Sequence, residues 1–144
     1  MSENSWTWCT EQAIPSETGA GKEFLDGLLA RLEAEQWAAH DVFGIHLAME
    51  EALVNAIKHG NRQDSSKRVH ICCKLSPQRM WIRIADEGSG FNPESVADCT
   101  DLDNLDVPSG RGIMLMRSFM SRVEYNDRGN CVEMEKLREA TVAS

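Results

Sequence analysis

Apolar residues along this chain switch between two spacings, and the switches mark the elements. Between Ser5 and Ile14, Trp6, Trp8 and Ile14 alternate loosely with polar neighbours, which predicts a first strand ended by Pro15. Ser16 to Lys22 is a polar, glycine-bearing loop. Phe24, Leu25, Leu28, Leu29 and Leu32 then recur at helical spacing, predicting a helix over about 18–36. Asp41 is the predicted cap of a second helix running to about His59. Its apolar face is Val42, Ile45, Met49, Leu53, Ala56 and Ile57, with Gly60 past its end. Alternation returns over Lys67–Leu75 and Met80–Ala85, two strands joined at Ser76-Pro77-Gln78. Phe91 to Ser109 is polar, acidic and weakly patterned, as functional lids and disordered segments are. Ile113, Met114, Met116, Phe119 and Met120 mark a third helix. Arg122–Asn126 and Cys131–Leu137 predict a closing hairpin around Asp127-Arg128-Gly129, followed by a frayed tail from Arg138 to Ser144. Three helices and about five strands, with consecutive strands close in sequence, predict an α+β two-layer sandwich. Its helices pack on one face of a mixed, mostly antiparallel sheet.

A chain of 144 residues fits one domain, here with a core over about 5–137. The net charge of −8 argues against nucleic acid as a direct partner, since phosphate binding needs a basic face. No apolar run approaches the roughly 18 residues of a membrane span. Met1 to Trp6 lacks the basic and apolar regions of a signal peptide, so a cytoplasmic protein with no membrane role is expected. The five cysteines are odd in number and form no Cys-x-x-Cys pair, so neither a disulfide framework nor a zinc site is expected. At least one of Cys72 and Cys73 should be buried in its strand.

Three short motifs carry candidate chemistry. Glu51, Asn55 and His59 are spaced one helical turn apart and form a polar stripe beside the apolar face. A carboxylate there can polarise a hydroxyl or water, and an amide oxygen is a neutral hard ligand suited to Mg²⁺. The same spacing also describes the solvated side of an amphipathic helix. Asp86-Glu87-Gly88-Ser89-Gly90 directly follows a strand. An aspartate at that junction can accept a hydrogen bond from an exocyclic amine, and glycines at 88 and 90 let a flat ring approach the backbone. Ordinary tight turns use the same residues. Gly110-Arg111-Gly112 precedes an apolar helical run, and a glycine turn opening a helix presents N–H groups to phosphate. Gly19-Ala20-Gly21-Lys22 imitates a Walker A loop, but Ser16 stands where its first glycine is needed and Glu23 where Ser or Thr is needed.

Taken together and in this order, the motifs resemble a known set. Glu51-x-x-x-Asn55 resembles the N box of the GHKL ATPases, Asp86-x-Gly88-x-Gly90 their G1 box, and Gly110-x-Gly112 their G2 box. The runs from Glu51 to Gly60 and from Gly110 to Arg117 look like those of the bacterial anti-sigma-factor serine/threonine kinases. The resemblance spans roughly residues 10–137. It implies a Bergerat-type fold, one ATP-binding kinase domain over 1–144, and a lid over about 91–109. Under it, Asp86 binds the adenine amine beside Gly88 and Gly90, and Asn55 holds Mg²⁺. Glu51 is the catalytic carboxylate, and Gly110, Arg111 and Gly112 contact the phosphates. It further implies ATP and Mg²⁺ as cofactors, a sigma factor and an anti-anti-sigma (STAS-type) protein as partners, and a homodimer through the early strand and helix. The alternative is a regulatory module that binds ATP and sequesters a partner without turnover. Two features depart from the family. Asn130 and Cys131 stand where a threonine often contacts the base, and the lid carries Glu94, Asp98, Asp101, Asp103 and Asp106, which would repel a triphosphate unless they point outward or the metal screens them, so an open or disordered lid is expected without nucleotide.

Overall fold

The computed structural model describes residues 6–88, 110–126 and 129–138. Ser5, Gly90, the expected lid, the tip of the last hairpin at 127–128 and the tail beyond 138 lie outside the described residues. The elements run β1 (Trp8–Pro15), α1 (Thr18–Ala34), α2 (Ala39–Val54), a π-helical segment (Asn55–Gly60), β2 (Arg68–Leu75), β3 (Arg79–Ala85), α3 (Gly110–Phe119), β4 (Arg122–Tyr125) and β5 (Cys131–Leu137). The expected α+β sandwich forms, and each of its four strand pairings is antiparallel, in the order β1-β2-β3-β5-β4.

Strand alternation decides which face is covered. Val69, Ile71, Cys73 and Leu75 of β2, Met80, Ile82 and Ile84 of β3, and Val132 and Met134 of β5 are buried. Their registers stack them in rows, such as Cys73 opposite Ile82 and Ile82 opposite Met134. Between them sit His70, Lys74, Trp81, Arg83 and Glu133, partly or fully exposed on the other face. An antiparallel sheet with one wet face has this pattern. The helices close the inner face with Leu25, Leu28 and Leu32 of α1 and Ile45, Met49 and Leu53 of α2. Each such side chain contributes roughly 1.5–3 kcal/mol by leaving water. Gly21 permits the close approach of α1 to the end of the α2 region, because a Cβ there would sit 2.9 Å from Ile57 Cδ1.

Two sequence expectations fail here for physical reasons. Asp41 does not cap α2. The helix begins at Ala39, flanked by Ala38 with no side-chain cap, so Asp41 falls in the first turn and is fully buried. There it lies 3.8 Å from Lys136 Nζ, which also donates to the carbonyl of Phe119 at the end of α3. Nor is Arg138 frayed. Its N–H donates to Gln78 O, and its guanidinium donates to the carbonyls of Pro77, Glu35 and Gln36 while stacking on Trp37. Lys136 of β5 and Arg138 just past it thus donate to carbonyls at or just beyond the ends of α3 and α1, groups that have no intrahelical partner.

Candidate functional site

Topology gathers the candidate residues at one end of the sheet. The chain leaves β3 at Asp86, reaches the far edge as β4, and returns as β5 between them. The end of β3, the end of β4 and the start of β5 therefore lie side by side: Ala85 pairs with Cys131 and Tyr125 with Val132. The Asp86 N–H continues the ladder with a bond to Asn130 O (2.9 Å). Over this end lies the close of α2, where the helix widens. Asn61 N–H bonds to Ala56 O, a five-residue step in place of the α-helical four. The expected uninterrupted helix to His59 is thus an α-helix to Val54 followed by a π turn.

The widened turn seats Gly60 against the next motif. A Cβ on Gly60 would overlap the Asp86 carboxylate, and a Cβ on Gly88 would overlap the Gly60 carbonyl oxygen. Gly88 N–H closes the knot with a 2.8 Å bond to Asp86 Oδ1. Both glycines answer to this packing. Burial pushes the Asp86 carboxyl up to about 6, against the opposing pull of the Gly88 N–H and the Lys67 charge. A half-buried acceptor in a cleft, with a displaced pKa, marks a candidate binding group.

Asn55 is buried, in contrast to the solvated stripe its spacing allowed, and its Nδ2 donates to the Tyr125 hydroxyl at 3.3 Å. That bond occupies the amide nitrogen and turns Oδ1, the end a hard cation would use, the other way. Glu51, one turn earlier, is half-buried. Burial raises its carboxyl, and the neighbouring Glu50 raises it further. Burial likewise pushes the Tyr125 hydroxyl up to about 12, with Asp86 and Glu51 adding to the shift and Arg117 of α3 opposing it. Asn55, Asp86, Tyr125, Asn130 and Cys131 line a single cleft, floored by Ala52, Ala56 and Ile84. Its free volume is about 10 Å³, space for about one water.

The remaining candidates are placed less fully. Gly110, Arg111 and Gly112 are the first turn of α3 itself, not a loop before it. The helix N–H groups expected to face phosphate therefore belong to that glycine turn. Gly112 is buried. Gly90 lies outside the described residues. At the family's base-contact position, Asn130 Oδ1 accepts from Asn126 Nδ2 (2.7 Å), while Asn126 Oδ1 accepts the N–H groups of Asn130 and Cys131. Lys22 of the false Walker loop is exposed and pairs with Asp26 on its own helix.

Motif reading missed two residues. Tyr125 gave no signal beyond being a strand residue, because its partner is 70 positions away. Asn61 is fully buried and joins three segments through Ser16, Arg68 and Glu87. It also sits before Arg62 and Gln63, whose φ values of 54° and 59° are left-handed, a conformation costing L-residues about 1–2 kcal/mol each.

The family pattern described as a histidine kinase-like ATPase domain matches residues 14–136. The chain belongs to this family. Within it, the chain is similar to the anti-sigma kinases. It is 28% identical over 96 residues to the serine/threonine-protein kinase BtrW of Bordetella bronchiseptica, covering 65% of this chain and 68% of that one. It is 30% identical over 105 residues to an anti-sigma F factor of Oceanobacillus iheyensis, covering 64% and 66%. Among solved structures, the RsbU and RsbW domains of Rv1364c from Mycobacterium tuberculosis share its fold, with a TM-score of 0.63 at 14% identity. That alignment covers 94% of this chain and 34% of the other, so this chain spans about a third of it. The GHKL resemblance carried by Glu51, Asn55, Asp86 and the glycine pairs is therefore sound at the level of family and fold, and the family implies use of ATP. Among the described residues, no helix is long and apolar enough to cross a membrane.

Proposed function

We propose that this chain is an anti-sigma factor that uses Mg·ATP to phosphorylate a serine or threonine of an anti-anti-sigma protein of the STAS type. Phosphorylation would dismiss that protein and leave the kinase free to hold its sigma factor. The observation that carries this reading is the convergence of Asn55 and Asp86 on one cleft from elements separated in sequence, with Glu51 one helical turn before Asn55. Its relatives named as a serine/threonine kinase and as an anti-sigma F factor support the same assignment.

In this reading each residue has a task set by its surroundings. Asp86 accepts a hydrogen bond from the adenine amine, with Gly88 and Gly90 beside the base. Asn55 Oδ1 is the protein's ligand for Mg²⁺, with Nδ2 held by Tyr125. The donor set fits: a neutral amide oxygen suits a cation that keeps waters and shares phosphate oxygens. When bound, Mg²⁺ neutralises charge on the transferring phosphoryl group. Glu51, with its carboxyl raised by burial, orients the incoming hydroxyl and takes its proton. Gly110, Arg111 and Gly112 receive the phosphates at the start of α3. Positioning and electrostatics supply most of the acceleration, because the protein does little covalent work in such transfers. The chain would act as one cytoplasmic domain, paired with a second copy along β1, an edge of the sheet, and α1.

The second reading keeps ATP as a ligand without turnover. The engagement of Asn130 by Asn126 favours it, since that removes a side chain from the base. Incubation with γ-labelled ATP, Mg²⁺ and an anti-anti-sigma protein from the same cells separates the two. The kinase reading expects label on the partner and at least a 100-fold loss in Glu51→Gln, the scale of a removed general base. ATP bound but never transferred, with the partner held regardless, would establish the module.

A further inference from the structure

Asn61 is fully buried, and both ends of its amide are engaged. Nδ2 donates to Ser16 Oγ (2.8 Å) and to Arg68 O (2.9 Å), while Oδ1 accepts the Glu87 N–H (2.7 Å). The Ser16 hydroxyl in turn donates a hydrogen bond to Lys67 O (2.8 Å). One side chain thus ties the end of β1, the start of β2 and the turn after β3. A primary amide offers two donors and one acceptor oxygen, and here each faces a partner of opposite polarity.

The consequence falls on Asp86. Its own N–H is fixed by Asn130 O, the next N–H by Asn61, and the one after by its own carboxylate. Three successive amides are therefore pinned by three different partners, and Asn61 supplies the one from outside the sheet. The carboxylate lies over the α-carbon of Gly60, immediately before Asn61 in sequence. Loss of the Asn61 bond would let the turn rotate about Asp86 and swing its remaining acceptor edge.

We infer that Asn61 is a positioning residue for base recognition: by holding the Glu87 N–H it sets the angle at which Asp86 meets a purine's exocyclic amine. This rests on Asp86 being the amine acceptor. Hydrogen bonds weaken steeply as they bend, so misalignment costs selectivity for the amine before it costs phosphate or metal contacts. A residue that served the fold alone would lower stability and leave base selectivity where it was.

The test is calorimetric titration with Mg·ATP and with Mg·purine riboside triphosphate, which lacks only the 6-amino group. The wild type should prefer ATP. Asn61→Ala should reduce that preference by about tenfold, the scale of one lost hydrogen bond. Asn61→Ser, too short to reach Glu87, takes its place if the alanine variant does not fold. Asn61→Asp keeps an oxygen facing the Glu87 N–H and loses both donors, so it should retain the preference while unfolding more easily. Ser16→Ala should behave in the same way. A preference unchanged in Asn61→Ala or Asn61→Ser would overturn the inference and leave the role of Asp86 standing. A wild type that binds both nucleotides equally would overturn the role of Asp86 and the inference with it.

Discussion

The α-carbon of Gly60 lies against the carboxylate of Asp86, and the carbonyl of Gly60 lies against the α-carbon of Gly88. At Gly88 the end of the α2 region and the turn after β3 meet backbone to backbone. Backbone is the obstacle at Gly88, and backbone cannot rotate away. Gly88→Ala should therefore destabilise by about 1–3 kcal/mol, the usual range for overpacking. It should weaken ATP binding as well, because the displaced turn carries Asp86. Urea midpoints and nucleotide titration on the same variant check both effects.

Asp86 gives the protein a defined pH response. Its folded carboxyl titrates near 6, above the ordinary aspartate value of 3.8, because burial disfavours the charge. The folded state then holds this proton more tightly than the unfolded chain. The stabilisation it confers is complete below about 3.8 and is lost as pH rises through about 6. Asp86→Asn should remove that loss, so the difference in unfolding midpoint between variant and wild type should change across this window and be flat above it. ATP affinity should move oppositely, falling as acidification below about 6 protonates the acceptor.

Tyr125 reaches Asn55 across the cleft, and the ring and the hydroxyl can be separated by mutation. Tyr125→Phe keeps the packing and frees the Asn55 amide to turn. A loss of about 1 kcal/mol in stability is expected from one removed hydrogen bond. The sharper effect should be on magnesium: the gain in ATP affinity on adding Mg²⁺ should shrink several-fold, while metal-free ATP binding should hold. Titrations with and without Mg²⁺ read this directly.

At the opposite end of the function, Arg138 should matter only for stability. It donates to three carbonyls and stacks on Trp37 at 5.2 Å. Arg138→Ala should lower stability by about 1–3 kcal/mol through the unsatisfied carbonyls and lost stacking. Nucleotide affinity should be unchanged, and a parallel loss would mean that the sheet end and the tail are coupled.

Most of the architecture was legible because periodicity is local. The alternation over Arg68–Leu75 and Arg79–Ala85 and the helical spacing of Leu25, Leu28 and Leu32 record which side faces the core. The motif residues were visible for a similar reason, since Glu51-x-x-x-Asn55 and Asp86-x-Gly88 are short and ordered. Contacts between distant segments left no such trace. Asn61 meets Glu87 across 26 positions, and Asn55 meets Tyr125 across 70. Asp41 looked like a cap because caps are polar, but the chain had already entered the helix at Ala39, so its carboxylate was carried inward toward Lys136. The π turn was hidden because no residue type demands it. It brings Gly60 against Asp86, a contact that exists only once the sheet has formed.

The central claim is that ATP binds at the cleft lined by Asp86 and Asn55. Calorimetric titration of Mg·ATP into the wild type and Asp86→Ala tests it most directly. One site per chain in the wild type, with affinity falling at least tenfold in the variant, is the predicted result. Heat of binding that is identical in the two proteins, or absent from both, would contradict it.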